Sequence, residues 1–487
     1  MSRPAAVFVL AAGEGTRMKS ATPKVLHEIS GRSLVGHVLA AARELDPERL
    51  VVVVGHGRDR VIPHLARVDP GVEPVVQERQ AGTGHAVRIA IEATDAASGT
   101  VLVTYGDTPL LSAETMKALA AEHERSGNAV TVLSAIVPDP TGYGRIIRDG
   151  DAFVGIVEEK DATAEQRAIT EMNSGVYAFD GALLADAVKR VTTDNAKGEE
   201  YLTDVVSILR ADGHAVGVTV AGDWREILGV NDRVQLAEAR DLLNARLLRR
   251  WMRDGVTIVD PRTTWIDVTV TLEPDAQVDP GTQLCGTTTV ASGARVGPHS
   301  TLTDTTVGAG AHVTYAVTDR AEIGPEVSVG PYAYLRPGTV LARGAKAGTY
   351  VEMKNATIGA GSKVPHLTYV GDADIGVGAN IGASSVFVNY DGVNKHRSKV
   401  GDHVRTGSDN MFVAPVEVGD GAYTGAGTVV RRNVPPGALA VSGGPQRVFE
   451  GWVEQRRPGT AAAEAARNAR EQGRVPGDGD DTSDTNT

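Results

Sequence analysis

The chain has 487 residues, of which 56 are Gly and one is Cys, and a formal net charge of −12. At about 100–200 residues per domain it holds two to four domains, and 41% hydrophobic with 23% charged residues excludes a wholly disordered chain. The lone Cys285 excludes an intrachain disulfide and a Cys-rich zinc site and suits a reducing cytosol; the negative charge argues against nucleic acid or an anionic membrane as partner.

The opening MSRPAAVFVLAAG joins Arg3 to a short apolar stretch. With no small-residue cleavage pattern before Gly13-Glu14-Gly15, it predicts a first strand rather than a signal peptide. No apolar run reaches the ~18 residues of a membrane helix. Up to about Val230, short apolar strands (Ala5–Leu10, Leu50–Val54, Thr100–Thr104, Ala129–Val137) alternate with helical patterns such as Ser33 to Leu45. That alternation predicts a mostly parallel sheet covered on both faces, with ligands beyond the carboxyl ends of its strands. Residues 1–232 are read as this domain.

The first strand runs into LAAGEGTRMKSATPK, Leu10 to Lys24. Gly13-Glu14-Gly15-Thr16 followed by basic residues suggests backbone N–H groups cradling phosphate. It is not a Walker A loop, lacking Gly-Lys-Ser/Thr, nor the dinucleotide fingerprint, since Met18 stands where the third Gly belongs. A Gly-x-Gly alone is equally an ordinary turn. Residues 233–254, rich in Ala, Leu, Arg and Glu, predict a helical connector with Leu236, Ala239, Leu243 and Ala245 to Leu248 at helical spacing and Gly255 closing it.

The period then changes. Apolar residues recur every six positions at Val278, Leu284, Val290, Val296 and Leu302, slip by one to Val307 and Val313, and reset at Ile323. The series continues through Leu335, Met353, Ile358, Val370 and Phe387 and, after a wider gap, from Val400 to Val430. Gly often follows, as at 308, 359 and 382. Neither a helix nor an alternating hairpin sheet has this period; a β-solenoid of one short strand and one corner per hexad does. Residues 255–457 form this domain, and the Pro-, Gly-, Asp- and Ser-containing segment 458–487 is expected to be disordered.

The front motifs together resemble the sugar-1-phosphate nucleotidyltransferases, which implies a Rossmann-like α/β domain. In that resemblance Leu10, Ala11, Ala12 and Gly13 line the UTP site, Arg17 and Lys24 are catalytic and grip the phosphates, and Gln77, Gly82 and Thr83 contact the uracil. Tyr105, Gly106, Gly144, Glu158 and Asn173 complete the nucleotide–sugar pocket, and Asp107 and Asn231 hold Mg²⁺. Singly each has a bland reading, Asp107 as a turn cap and Asn173 as a partner of backbone groups; their joint order favours the site.

The hexads resemble the hexapeptide-repeat acyltransferases, which implies a left-handed parallel β-helix and a homotrimer with sites between subunits. PHLTYVGDADIG and VNYDGVNKH extend the likeness, from about Val7 to Pro458, to the bifunctional bacterial N-acetylglucosamine-1-phosphate uridylyltransferase/glucosamine-1-phosphate N-acetyltransferase family. This implies that His366 is the base toward glucosamine 1-phosphate, that Arg336, Lys354, Tyr369 and Asn380 bind that sugar phosphate, and that Ala383, Asn389, Tyr390, Ser408 and Ala426 contact acetyl-CoA. The partners implied are UTP, sugar 1-phosphates and acetyl-CoA, in the cytoplasm, with no nucleic acid or membrane partner. In Val441-Ser442-Gly443-Gly444-Pro445-Gln446, Gly443 replaces an Arg that in many relatives contacts CoA, leaving Arg447 as the substitute. Two rival readings, a merely regulatory solenoid and a scaffold without chemistry, are opposed by His366 with Arg336 and Lys354 and by Arg17, Lys24, Asp107 and Asn231.

Overall fold

The computed structural model describes residues 3–94, 98–444 and 446–474. It divides into two compact units, Met1–Asp254 with Trp265–Val270, and Gly255–Thr264 with Thr271–Thr487. Among the described residues no helix is long and apolar enough to cross a membrane.

In the first unit the strands are β1 (Ala6–Ala11), β2 (Arg49–Val54), β3 (Glu73–Val76), β4 (Thr100–Tyr105), β5 (Val130–Ile136), β6 (Arg145–Asp149), β7 (Ala152–Val157), β8 (Glu171–Asp180) and β9 (Val216–Val220). The sheet runs β9-β5-β8-β4-β1-β2-β3, with the β6–β7 hairpin hung on β8. Along this order it is parallel except at β8, which pairs antiparallel with β4 and β5; the hairpin is antiparallel too. Helices α1 (Leu34–Arg43), α2 (Arg58–Val68), α3 (Thr83–Thr94) and α4 (Ala113–Ser126) alternate with these strands. Strand side chains point alternately to opposite faces, so β1 sends Ala6, Phe8 and Leu10 into one core and Val7, Val9 and Ala11 into the other. Its near-continuous apolar run follows from being covered on both sides.

Helix α5 (Arg233–Arg253) starts at Asp232, whose carboxylate accepts from the N–H groups of Val234 and Gln235. Ala239, Leu243 and Leu247 pack against Ile29, Leu34, Leu110 and Val230. The segment read as a connector is therefore built into the first unit by its apolar stripe.

The second unit is a left-handed parallel β-helix. Each coil lays three short strands on three faces. Gln277–Val278 pairs in parallel with Arg295–Val296 and then His312–Val313 on the first face. Gln283–Cys285 pairs with Thr301–Thr303 on the second, and Thr289–Val290 with Thr306–Val307 on the third. The hexad residues point inward and are buried: Val278, Leu284, Leu302, Met353, Ile358 and Phe387 are 0% exposed. The skipped position between Val313 and Ile323 belongs to Thr318, buried with its hydroxyl 2.8 Å from that of Thr305.

The corners use glycine in two ways. A Cβ on Gly359 would overlap the Gly376 carbonyl of the next coil, although the Gly359 backbone is ordinary. Elsewhere left-handed residues stack one above another, many of them not Gly: His299, Tyr315, Tyr332, Tyr350 and Leu367 at one corner, Asp304, Arg320, Asn355 and Asp372 at another. Such residues are uncommon and strained; the ladders on either side fix them.

The expected disorder after Arg457 is corrected in part. Helix α6 (Ala461–Glu471) forms there, capped by Thr460 and burying Ala463. Seven consecutive residues from Thr460 include five Ala, and that local helix propensity outweighs the polar average of the tail. Residues 475–487 lie outside the described residues.

Gly359→Ala is expected to destabilise the β-helix by about 1–3 kcal/mol, the usual cost of overpacking. Calorimetry of the full chain measures it; an unchanged unfolding transition contradicts the rigid coil spacing.

Candidate active sites

In the first unit the carboxyl ends of β1 and β4 open onto a cavity of about 400 Å³. Leu10, Ala11, Ala12, Gly13, Lys24, Gln77, Gly82, Thr83, Tyr105 and Asp107 line it, together with Glu14, Gln80 and Glu199. The Gly-rich loop earns its glycines sterically. Gly15 is left-handed (φ 65°), and a Cβ there would lie 2.6 Å from the Lys24 Cβ. That close approach turns Lys24 back across the cavity. Its ammonium donates to Asp107 Oδ2 and, at 3.2 Å, to Asn231 Oδ1. The Asp107 carbonyl accepts from Val230 N–H at 2.9 Å, which holds the Asn231 segment beside it. Two oxygens of the kind hard cations prefer thus converge on the Lys24 ammonium, a donor pair that suits Mg²⁺. Among the described residues no group of three or more His, Cys, Asp or Glu gathers around a metal position.

Opposite, Gln77 Nε2 donates to the Gly82 carbonyl at 3.1 Å, and Gly82 lies against Glu200 so closely that a Cβ would overlap its carbonyl. Gln80 Nε2 ties the same loop to the Ala12 carbonyl at 2.8 Å. Gly106 N–H bonds the Leu10 carbonyl at 2.9 Å.

Gly144, Glu158 and Asn173 form a second group beside Tyr105. Asn173 N–H bonds the Gly144 carbonyl at 2.8 Å, and its Nδ2 donates to the Tyr177 hydroxyl at 2.8 Å. Between Asn173 and Val176 the register of β8 shifts, and Gly175 (φ 77°) leaves room for the Tyr105 ring. Burial, more than the nearby Glu158 and Asp107 charges, raises the Tyr105 pKa. Burial likewise raises Glu158, although Lys197 and the Thr203 hydroxyl work the other way. Arg17 is exposed on the turn Thr16–Met18, and its charge acts on Tyr143, whose hydroxyl accepts from Gly229 N–H at 3.4 Å.

A cavity of about 450 Å³ between α1 and α2 carries Arg43, His64 and Arg67, but these close on one another. Arg43 grips Asp69 through two bonds, while Arg67 donates to His64 Nδ1, whose Nε2 meets the Ser33 hydroxyl at 2.8 Å. None of the expected residues lies there.

On the β-helix, His366, Ala383, Ser408 and Ala426 stack on successive coils at one corner. The His366 carbonyl accepts from Ser384 N–H, that of Ala383 from Asp409 N–H, and that of Ser408 from Gly427 N–H. His366 is exposed. On the second face Glu352 registers with Tyr369, and Arg336 Nη1 donates to Glu352 Oε1 at 2.8 Å. Lys354 stands beside Lys395, which sequence reasoning missed; their mutual approach, then burial, lowers the Lys354 pKa. Lys395 arrives on the loop after Asn389, closed by the Tyr390–Lys395 bridge. Nothing in the hexad pattern marks it, because it sits in the gap of the repeat. Asn380 lies across the corner on the first face, between Lys363 and Arg405. The chain therefore does not gather Asn380 with Arg336, Lys354 and Tyr369 on a single face. Gly443, at the end of the His366 corner, has open space around it.

A family model described as the MobA-like NTP transferase domain matches residues 7–149. The bifunctional protein GlmU of Streptomyces avermitilis is 67% identical over 467 residues, 95% of this chain and 97% of that protein. The GlmU of Thermobifida fusca is 67% identical over 474 residues, 96% and 98% of the two chains. That of Corynebacterium efficiens is 57% identical over 479 residues, 97% and 98% of the two.

Because folding raises the Glu158 pKa, its ionisation costs stability as pH rises from the ordinary Glu range through the raised folded value. Glu158→Gln is expected to raise the first unit's unfolding temperature at pH 7 and not at pH 4; an equal gain at both contradicts the assignment.

Proposed function

The chain belongs to the family of bifunctional GlmU proteins, and we propose that its two sites divide the family's two transfers between them. The protein is a bifunctional uridylyltransferase and acetyltransferase, whose product serves UDP-N-acetylglucosamine and peptidoglycan synthesis. In the second unit the acetyl group passes from acetyl-CoA to the amine of glucosamine 1-phosphate. In the first, the uridylyl group of UTP passes to N-acetylglucosamine 1-phosphate, and pyrophosphate leaves.

The observation that carries the first assignment is the Lys24 ammonium held between Asp107 and Asn231 beside the cavity. Those two residues would hold Mg²⁺. When bound, it supplies charge neutralisation at the phosphates. Lys24 and Arg17 would grip the triphosphate and the activated phosphate, and Gln77, Gly82 and Thr83 would fix the uracil. Leu10 to Gly13, which line the cavity, would contact the nucleotide; Tyr105, Gly106, Gly144, Glu158 and Asn173 would seat the ribose and the amino sugar. The attacking sugar phosphate is already an anion, so alignment and charge stabilisation suffice without a general base.

At the second site His366 would take a proton from the substrate amine. The freed amine attacks the thioester carbonyl, the C–N bond forms, and the CoA thiolate leaves. Arg336, Lys354, Tyr369 and Asn380 would hold the sugar phosphate. Ala383, Ser408 and Ala426 would carry acetyl-CoA along their column, with Asn389 and Tyr390 at the neighbouring loop.

Asn380 stands on one side of the His366 corner and Tyr369 on the other, which supports a site assembled from faces of different copies. The ridge of Tyr315, Tyr332 and Tyr350, 38%, 55% and 59% exposed with ring centroids 5.3–5.4 Å apart, supports a homotrimer packed along that corner. Small-molecule substrates and the lone Cys285 fit a cytoplasmic enzyme.

His366→Ala is expected to lower acetyl transfer by about 10²–10⁴-fold and leave UTP-dependent pyrophosphate release intact; Asp107→Ala should do the reverse. Product analysis with each substrate omitted in turn separates the two. Loss of both activities together in a folded variant contradicts the two-site reading.

A further inference from the structure

The two subsites of the acetyl-transfer site meet over the dipeptide Gly371-Asp372. Asp372 is 8% exposed and left-handed (φ 49°) at a corner of the β-helix. On the coil before, Asn355 Nδ2 donates to its Oδ1 at 2.7 Å; on the coil after, Asn389 Nδ2 donates to its Oδ2. Beside it, Lys354 registers with Gly371, and both Lys354 and Lys395 act on the carboxylate as nearby positive charges. Gly371 has no room for a side chain: a Cβ there would overlap the Tyr369 hydroxyl and lie 2.7 Å from Asn389 Nδ2. An expected sugar-phosphate contact and an expected acetyl-CoA contact therefore crowd the same spot.

We infer that Asp372 is a positioning residue, a buried carboxylate that fixes the Lys354–Lys395 ammonium pair toward the sugar phosphate and the Asn389 amide toward the acyl donor at once. The inference rests on the acetyl-transfer reading of this unit. The physical need is plain. Two lysines brought together with Arg336 nearby repel each other, and a single carboxylate beneath them offsets that repulsion before any phosphate arrives. Burial alone would raise the Asp372 pKa, yet the two amide donors and the two ammonium groups hold it below the usual carboxylate range. The same carboxylate takes one N–H of the Asn389 amide, which sets the amide's orientation and leaves its side-chain oxygen for a ligand. Asp372 itself has both oxygens engaged from neighbouring coils, so its role is to orient.

Asp372→Asn, nearly isosteric, removes the charge and one acceptor. In the full chain, the KM for glucosamine 1-phosphate is expected to rise about tenfold and that for acetyl-CoA several-fold, with kcat within about threefold, the pattern of lost binding rather than lost chemistry. Asp304→Asn is the control. It occupies the same corner column, with the same left-handed conformation (φ 46°) and its own bonds from Thr287, and should leave both KM values unmoved. Uridylyl transfer by the same variants should also be unchanged. Unchanged KM values in Asp372→Asn, a loss confined to kcat, or the same shifts in Asp304→Asn overturn the inference. If Asp372→Asn does not fold, Asn355→Gly keeps the left-handed corner and removes only one donor. It should then raise both KM values by about two- to threefold, and no rise overturns the inference. Absence of acetyl transfer in the unsubstituted protein would instead refute the reading on which it rests.

Discussion

Both units are organised by one constraint: backbone must approach backbone or side chain more closely than a Cβ permits. In the first unit Gly15 lets Lys24 fold across the Gly-rich loop, Gly82 seats its own loop on Glu200, and Gly175 makes room for Tyr105. In the β-helix Gly359 and Gly371 do the same between coils. The high glycine content is therefore less a sign of flexibility than of tight geometry, since each of these glycines is flanked by paired strands or hydrogen-bonded loops that leave it one conformation.

A second theme is charge arranged in advance. The chain is acidic overall, so an anionic substrate meets a repulsive average field and must be held by local cations. Each site couples its cations to a carboxylate: Lys24 with Asp107, and Lys354 and Lys395 with Asp372. Polar amides share the load at these largely buried carboxylates, Asn231 in one case and Asn355 and Asn389 in the other.

Much of this was legible in the residues. The six-residue period placed the inward residues because burial repeats with the coil, and the strand positions followed from apolar runs that only a doubly covered sheet tolerates. Thr318 escaped because a hydroxyl facing inward looks like a break until its partner Thr305 is seen on the preceding coil. The antiparallel strand β8 escaped because its Asn-Ser-Gly bulge reads as a loop motif. Lys395 and Asp372 escaped for a deeper reason: their meaning lies in neighbours a whole coil away, and the inserted loop hides that spacing. The helix α6 was lost in an average taken over too long a window.

The stacked corner of His366, Ala383, Ser408 and Ala426 has a metric consequence. Neighbouring strands repeat at about 4.8 Å, so three rungs measure about 14 Å. For a long, thin acyl donor laid along it, the number of repeats becomes a ruler: reach is counted in whole rungs rather than adjusted by side-chain length. Such a gauge changes only by gaining or losing an entire coil, so drift in individual surface residues leaves the distance it sets untouched.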